Sequence, residues 1–429
     1  MNPSQAGRYL NSLKKFGIRM RLDHIERLLL LLGEPHKKIN CIHVAGTNGK
    51  GSVCAYINSI LLEAGFKVGL YTSPNLYRLN ERIKLSNKDI SDRDLARLVS
   101  VVKPLAEKVS SEFGELTFFE VTTAMALLYF VENKADYVVL EAGLGGRLDA
   151  TNVVPRPLVT VITNISLDHT DLLGSTIQAI AEEKAAVIKE NGLVVTAASG
   201  KALEVVENAC REKRAVLCVV GDEVYFRRKT HSLDRQDFVL NFFGKEHLLS
   251  IQLAGRHQLV NAALAYSVAE MLGSFHKIAL PEDRVSSGLL KAKNPCRMEL
   301  MQKKPAVVLD GAHNPDGIAK LMNALADVPR RKLHLVFGCS FNKDYRKMVS
   351  KITVKPSTVF VAETKLAKPL GAEKISTAFA KKYANVHVEK DVRKAVKRAI
   401  QASSKDDLVL VTGSLYVAGE ARRLWHKKT

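Results

Sequence analysis

No apolar run in this 429-residue chain approaches the ~20 residues that cross a bilayer, which argues against a membrane-spanning protein. Cys41, Cys54, Cys210, Cys218, Cys296 and Cys339 show no Cys-x-x-Cys pairing, so neither a zinc site nor a disulfide framework is indicated, and they read as reduced, mostly buried thiols. Residues Met1 to Arg21 are polar and carry Lys14, Lys15, Arg19 and Arg21 without a long apolar segment, so no secretory signal is expected and a cytoplasmic location is. Tandem repeats, low-complexity tracts and helix-turn-helix, zinc-finger or RNP-like motifs are all missing. Acid is scarce relative to base: 64 Lys plus Arg against 44 Asp plus Glu gives +20. Residues 301–429 carry 26 bases and 11 acids, a net of +15, which leaves +5 for the first 300. Such an excess points to a polyanionic partner without naming its kind.

Hydrophobic residues at 46% and charged residues at 25% are close to globular averages, and the length predicts two or three domains. Helix-period stretches alternate with short apolar runs, the pattern of parallel sheets with crossover helices. Strands are expected at 39–44, 67–71, 135–141 and 159–163, and helices at 25–32, 53–64, 91–113, 119–132 and 176–189. Residues 192–255 read as a small β-rich section with little helix, and a helix follows at 257–272. Asn294-Pro295 is the expected boundary between a first domain, 1–295, and a smaller α/β domain, 296–429. In the latter, strands are expected at 306–310, 333–337, 358–362, 386–389 and 408–412.

The most informative segment is Ile42-His43-Val44-Ala45-Gly46-Thr47-Asn48-Gly49-Lys50-Gly51-Ser52, a strand running through a glycine-rich turn into a helix. That geometry suits a nucleoside triphosphate: backbone N–H groups of Thr47, Asn48, Gly49 and Gly51 can close around phosphate oxygens, the helix N-terminus adds positive potential, and Lys50 neutralises the β/γ-phosphates. Ser52 is placed to face a magnesium ion. The spacing departs from the standard loop, with two residues between Gly46 and Gly49 and a glycine between Lys50 and Ser52. Glu141 ends an apolar strand where a phosphate-loop protein needs a carboxylate for magnesium. Gly143, Gly145 and Gly146 predict a tight loop after it, and Arg147 is a candidate for holding a carboxylate or phosphate there.

This loop, with Tyr71-Thr72-Ser73-Pro74, Asn80-Glu81-Arg82-Ile83, Thr117-Phe118-Phe119-Glu120, Glu141 to Asn152, Leu167-Asp168-His169-Thr170, Glu183-Lys184-Ala185 and Asp310-Gly311-Ala312-His313-Asn314-Pro315, resembles the folylpolyglutamate synthase/dihydrofolate synthase family of Mur-type ligases. The motifs keep their order across residues 42 to 315. The resemblance implies an α/β fold: an N-terminal P-loop Mur-ligase-like ATPase domain with a parallel sheet and a small β-rich section, and a C-terminal Rossmann-like domain. It implies ATP-driven addition of L-glutamate to tetrahydrofolate or its polyglutamates, and to dihydropteroate, through an acyl phosphate. By resemblance Ser73, Glu141 and His169 are magnesium positions for two ions, and Lys184 is carboxylated on its amine. Asn261, Arg297 and Asp310 fall on the nucleotide. Thr117, Phe118, Phe119 and Glu120 with Leu148, Asp149 and Ala150 fall on the pterin or folate. The family usually has glycine before the arginine, where this chain has Cys296, so the local loop is expected to differ if that glycine serves a positive φ.

Within the second domain, Ser340 and Lys343 follow a strand where they can meet the incoming glutamate or its growing tail, although an ordinary turn fits there too. A Mur-type ligase acting on another carboxylate is disfavoured, on the expectation that no separate UDP-binding domain precedes Gly46. A nucleic-acid-dependent ATPase is suggested by charge alone, so no nucleic-acid or membrane partner is expected, and the chain is expected to be a monomer. The +15 after Met301 is then read as attraction for the folate's glutamate tail, with Lys381 and Lys382 as examples.

Overall fold

The computed structural model describes residues 1–366 and 368–426. Two compact units emerge: Met1–Phe226 with Leu240–Leu249 and Val260–Ala292, and Arg227–Val239 with Ser250–Leu259 and Lys293–Thr429.

Eight strands, β1 (Cys41–Ala45), β2 (Val68–Tyr71), β3 (Ile83–Leu85), β4 (Lys88–Asp89), β5 (Tyr137–Glu141), β6 (Val159–Ile162), β7 (Leu193–Thr196) and β8 (Val216–Val219), form the sheet of the first unit. Its order is β4-β3-β2-β5-β1-β6-β7-β8. From β2 to β8 the pairs are parallel, while β3 and β4 add an antiparallel edge. Every residue of β1, β2, β6 and β7 is buried, which is why these strands read as unbroken apolar runs rather than alternating ones. Strand β1 lies between β5 and β6, so the turn after it opens where open α/β sheets bind ligands.

Strands β9 (Val224–His231), β10 (Gln236–Phe242) and β11 (Lys245–Ile251) make a separate sheet, order β11-β10-β9, and the division of the chain falls within them. The β-rich section is therefore smaller than expected. Residues Lys201–Glu212 form a helix, so β7 and β8 join the main sheet by ordinary crossovers. That helix buries Ala202, Val206 and Cys210 and packs Leu203, Val205 and Ala209 against the same core, and it is hidden in the sequence by the short apolar runs on either side that read as consecutive strands. The N-terminal helix Pro3–Leu13 is also missed in a segment that reads as polar: it buries Ala6, Leu10 and Leu13 and is started by a reciprocal Asn2/Gln5 capping box.

The sheet of the second unit runs β12 (Glu299–Lys303), β13 (Ala306–Leu309), β17 (Leu408–Thr412), β14 (Leu333–Phe337), β15 (Thr358–Glu363), β16 (Val386–Asp391). All its pairs are parallel except the antiparallel edge strand β12. The six cysteines are free and buried. Among the described residues no helix is long and apolar enough to cross a membrane.

Helix Lys50–Glu63, which carries the lysine of the glycine-rich turn, is pinned from behind by helix Glu282–Lys291. A Cβ at Gly288 would lie 2.4 Å from the Ile60 Cα. Gly288→Ala should therefore force the helices apart and cost about 1–3 kcal/mol of stability. Gly7→Ala, on the N-terminal helix with open space around it, should stabilise by up to about 1 kcal/mol. Urea denaturation of the two variants checks both signs.

Candidate active site

Between β1 and helix Lys50–Glu63 the chain must reverse within four residues, and two glycines carry the turn. Gly46 has φ 137°, and a Cβ there would collide with Thr163 Oγ1 at 1.8 Å. Gly49 has φ 95°, with Asn261 Oδ1 only 2.5 Å from where its Cβ would sit. The loop after β6 clamps the turn from the other side. Thr47 N donates to Asn164 O (2.8 Å), Asn48 N to Asn164 Oδ1 (3.1 Å), and Thr163 Oγ1 to Asn48 O (2.8 Å). Ser166 N donates to Thr47 Oγ1 (3.1 Å). Thr163, Asn164 and Ser166 were not singled out by sequence. Their one signal is a polar stretch directly after the buried strand Val159–Ile162.

Two ammonium groups converge on one carbonyl. Lys50 Nζ donates to Gly46 O (3.1 Å) and Thr47 O (3.3 Å), and Lys184 Nζ reaches the same Gly46 O at 2.9 Å from 138 residues away. Lys184 is only 4% exposed, and its pKa is pushed down to about 7, first by burial and then by the Lys50 charge. Asp149, Asp168 and Glu183 pull the other way. Helix Ile177–Ala185 brings this lysine in. The glycine-rich loop after β5 packs on that helix: a Cβ at Gly146 would sit 2.5 Å from Glu183 O, Arg147 N donates to that carbonyl (2.8 Å), and Arg147 Nε pairs with Glu183 Oε1 at 3.1 Å.

Glu141 ends β5 as a buried carboxylate, and its Oε2 accepts from Ser73 N at 2.9 Å, so Ser73 and Glu141 are brought together. These are oxygen donors of the kind a hard divalent cation takes. His169 sits in the left-handed region, φ 50°, at the start of the short helix Thr170–Leu173, with Nε2 3.9 Å from Asp168 Oδ1. The Asp168 charge also acts on Lys184, raising its pKa. Among the described residues no group of three or more His, Cys, Asp or Glu side chains is gathered for a metal. A magnesium ion held by hydroxyl, carboxylate, water and phosphate oxygens does not need one.

Thr117 and Glu120, which the sequence resemblance places on the folate, form a capping box at the start of helix Phe118–Glu132: Thr117 N donates to Glu120 Oε2 (2.7 Å) and Glu120 N to Thr117 Oγ1 (3.2 Å). Glu120 Oε1 remains buried with no hydrogen-bond partner, an acceptor that fits a ligand N–H. The Phe119 ring fills the space over Gly143, whose Cβ would sit 2.6 Å from it, and lies 5.9 Å from the Tyr71 ring. Phe118 is flanked by cations, Arg82 at 5.0 Å and Lys14 at 5.4 Å from its centroid. Buried Asp149, next to Leu148 and Ala150, spends both oxygens on its own loop, accepting from Leu144 N, Thr151 N and Thr151 Oγ1.

The second unit carries its own cluster. Buried Asp310, just after β13, accepts from Ala312 N (2.8 Å) and Met298 N (2.9 Å). Burial raises its pKa and the Arg297 charge opposes that. Cys296 has φ 59°. The loop thus keeps a left-handed residue before Arg297 although the side chain is not glycine, a conformation that costs about 1–2 kcal/mol.

The model of the Mur ligase middle domain matches residues 44–269, and that of the Mur ligase, glutamate ligase domain, matches residues 296–415. Over 423 residues, 97% of each chain, the sequence is 37% identical to the dihydrofolate synthase/folylpolyglutamate synthase of Bacillus subtilis. The chain belongs to the folylpolyglutamate synthase/dihydrofolate synthase family of Mur ligases. Mycobacterium tuberculosis folylpolyglutamate synthase, solved with ADP and AMPPCP, has the same fold with a TM-score of 0.92 at 29% identity over 100% of both chains. A complex of FPGS with AMPPCP and folate matches at 32% identity and TM-score 0.87 over 99% of each chain.

In this Mur ligase the buried Lys184 has a measurable consequence. Its folded pKa near 7 lies below the unfolded value of about 10.4, so between those limits the unfolded chain binds more protons and stability rises with pH. Lys184→Met should flatten that rise from about pH 7 to 10, read by urea unfolding in CO2-depleted buffer. An unchanged slope would remove the buried ammonium from the account.

Proposed function

We propose that this chain is the ATP-dependent ligase that adds L-glutamate to folates, extending tetrahydrofolate and its polyglutamates and also charging dihydropteroate. The observation that carries the reading is the meeting of Lys50 and Lys184 on the Gly46 carbonyl at the end of β1, in a family of glutamate ligases. A carboxylate is a poor electrophile. Transfer of the γ-phosphoryl group to it gives an acyl phosphate with a good leaving group, the glutamate amine attacks the carbonyl carbon, and phosphate departs. The protein's task is positioning and charge neutralisation.

Lys50 is folded back on the turn, holding carbonyls of Gly46 and Thr47. A charge-assisted bond to a phosphate oxygen is stronger than either, so a bound triphosphate recruits the lysine from the loop. Backbone N–H groups of Gly49, Gly51 and Ser52 at the helix start face the same anion, while Thr47 and Asn48 are held by the clamp of residues 163–166. Asn261 packs on Gly49 and fixes the rear of the turn. Ser73 and Glu141 would hold one magnesium ion, and His169 with Lys184 a second; the ions neutralise phosphate charge.

Lys184 is suited to carboxylation because a pKa near 7 leaves much of the amine neutral at physiological pH. The nitrogen lone pair attacks CO2, a proton leaves, and the cation that repelled Lys50 becomes an anion that attracts it. A carbamate 13C resonance in protein equilibrated with labelled bicarbonate, lost in Lys184→Met, is the expected result.

On the acceptor side, Phe119 offers a ring to a pterin and Glu120 Oε1 accepts from it, while Asp149 braces the loop. Phosphate release with ATP, magnesium and L-glutamate is expected with both tetrahydrofolate and dihydropteroate, and silence with both would sink the proposal. Lys50→Ala should lower turnover by about 100-fold or more at saturating ATP with the fold intact, since the lost interaction strengthens in the transition state. Near-normal turnover would refute the role given to it.

A further inference from the structure

The basic excess of the last third has a location that ligase chemistry does not use. We propose that the amino end of the second unit's sheet carries a binding site for a multivalent oxyanion. A cavity of about 550 Å³ opens there, lined by Arg330, Arg331, Lys332 and Lys355 beside Leu333 and Ser357. Leu333 begins β14, and Ser357 precedes β15, which runs parallel to β14. The cavity is thus at the opposite end of these strands from Asp310 and from the turn at Gly338, which follow the carboxyl ends of β13 and β14. Five residues at about 3.3 Å each separate the two ends by roughly 15 Å.

The four cations are unequally committed. Arg331 Nε donates to Asp407 Oδ1 at 3.2 Å, and its backbone N–H to Asp406 O. Arg330 Nη1 donates to the carbonyls of Leu325 and Val328 at the end of helix Pro315–Ala326, which fixes the guanidinium without a carboxylate. Neither Lys332 nor Lys355 has an ion pair among the described residues, and both are exposed. Three of the four cations that line the cavity therefore have no carboxylate paired with them among the described residues. A held guanidinium beside exposed ammonium groups suits phosphate or carboxylate oxygens. Each contact is solvent-exposed and modest alone, so the site selects ligands that present several anionic groups at once. Polyphosphates and γ-linked glutamate chains share that chemistry.

The test uses the full chain saturated with AMPPCP, so that the phosphate loop is already filled, in about 0.15 M salt where weak surface attraction is screened. Tripolyphosphate and tri-γ-glutamate are titrated by calorimetry into the wild type and into Lys332→Glu/Lys355→Glu. At least one probe should bind the wild type and lose tenfold or more in the variant, with turnover on a monoglutamate acceptor unchanged within twofold. The probe that binds identifies the source of the anion. Should the double variant not fold, Lys332→Ala alone is expected to weaken binding about threefold. Binding of neither probe more tightly than acetate, or equal binding by wild type and variants, overturns the site.

Discussion

A single carbonyl, that of Gly46, receives both the lysine that starts the following helix and a buried lysine from 138 residues downstream. The pKa of Lys184 is pushed down to about 7, first by burial and then by repulsion from the Lys50 charge. The conflict is relieved by an anion. In the proposed reaction a triphosphate would draw Lys50 outward, and a carbamate on Lys184 would invert the charge of the second partner. The resting arrangement is thus arranged to be stabilised by the ligands that ATP-driven ligation needs.

The rest of the first unit holds that turn in place. Thr163, Asn164 and Ser166 brace it from β6, Asn261 closes on Gly49, and the glycine-rich loop after Glu141 packs down on the helix that delivers Lys184. Asp149 belongs to the same scaffold. Buried and fully engaged by Leu144 N–H, Thr151 N–H and the Thr151 hydroxyl, it shapes the loop, and its negative charge acts on Lys184 from there. Thr151 in turn sits 2.7 Å from His43 Nε2 on β1, whose pKa burial drives down to about 3, so the imidazole is neutral. Since Asp149 draws the Thr151 proton, the threonine oxygen accepts from His43 Nε2–H. The glycine-rich loop after β5 and strand β1 are joined through that hydroxyl.

Local sequence determined a good deal. The strands buried on both faces read as unbroken apolar runs, and the helix expected at 91–113 is found at Asp92–Phe113. The glycine-rich turn, Glu141 at a strand end and the ordered motifs carried the family. Helix Pro3–Leu13 and helix Lys201–Glu212 lie in segments that read as polar and as β-rich, although each carries a helix-spaced buried stripe, Ala6, Leu10 and Leu13 in one and Ala202, Val206 and Cys210 in the other.

What tertiary structure alone decided is the state of individual side chains. Nothing around Lys184 in the sequence distinguishes it from a solvated lysine beside Glu182 and Glu183; burial beneath the turn does. Glu120 Oε1 was left buried with no hydrogen-bond partner, and Arg147 was claimed by Glu183. Cys296 took a positive φ where glycine was anticipated, because the surrounding loop, tied by Cys296 O to Gly311 N, fixes the backbone whatever the side chain. Composition gave the basic excess of the last third, but only the parallel register of β14 and β15 gathers Arg330, Arg331, Lys332 and Lys355 around one cavity. Periodicity and turn chemistry act between neighbours in the chain and are written in it, whereas charge, burial and pairing depend on what distant segments bring.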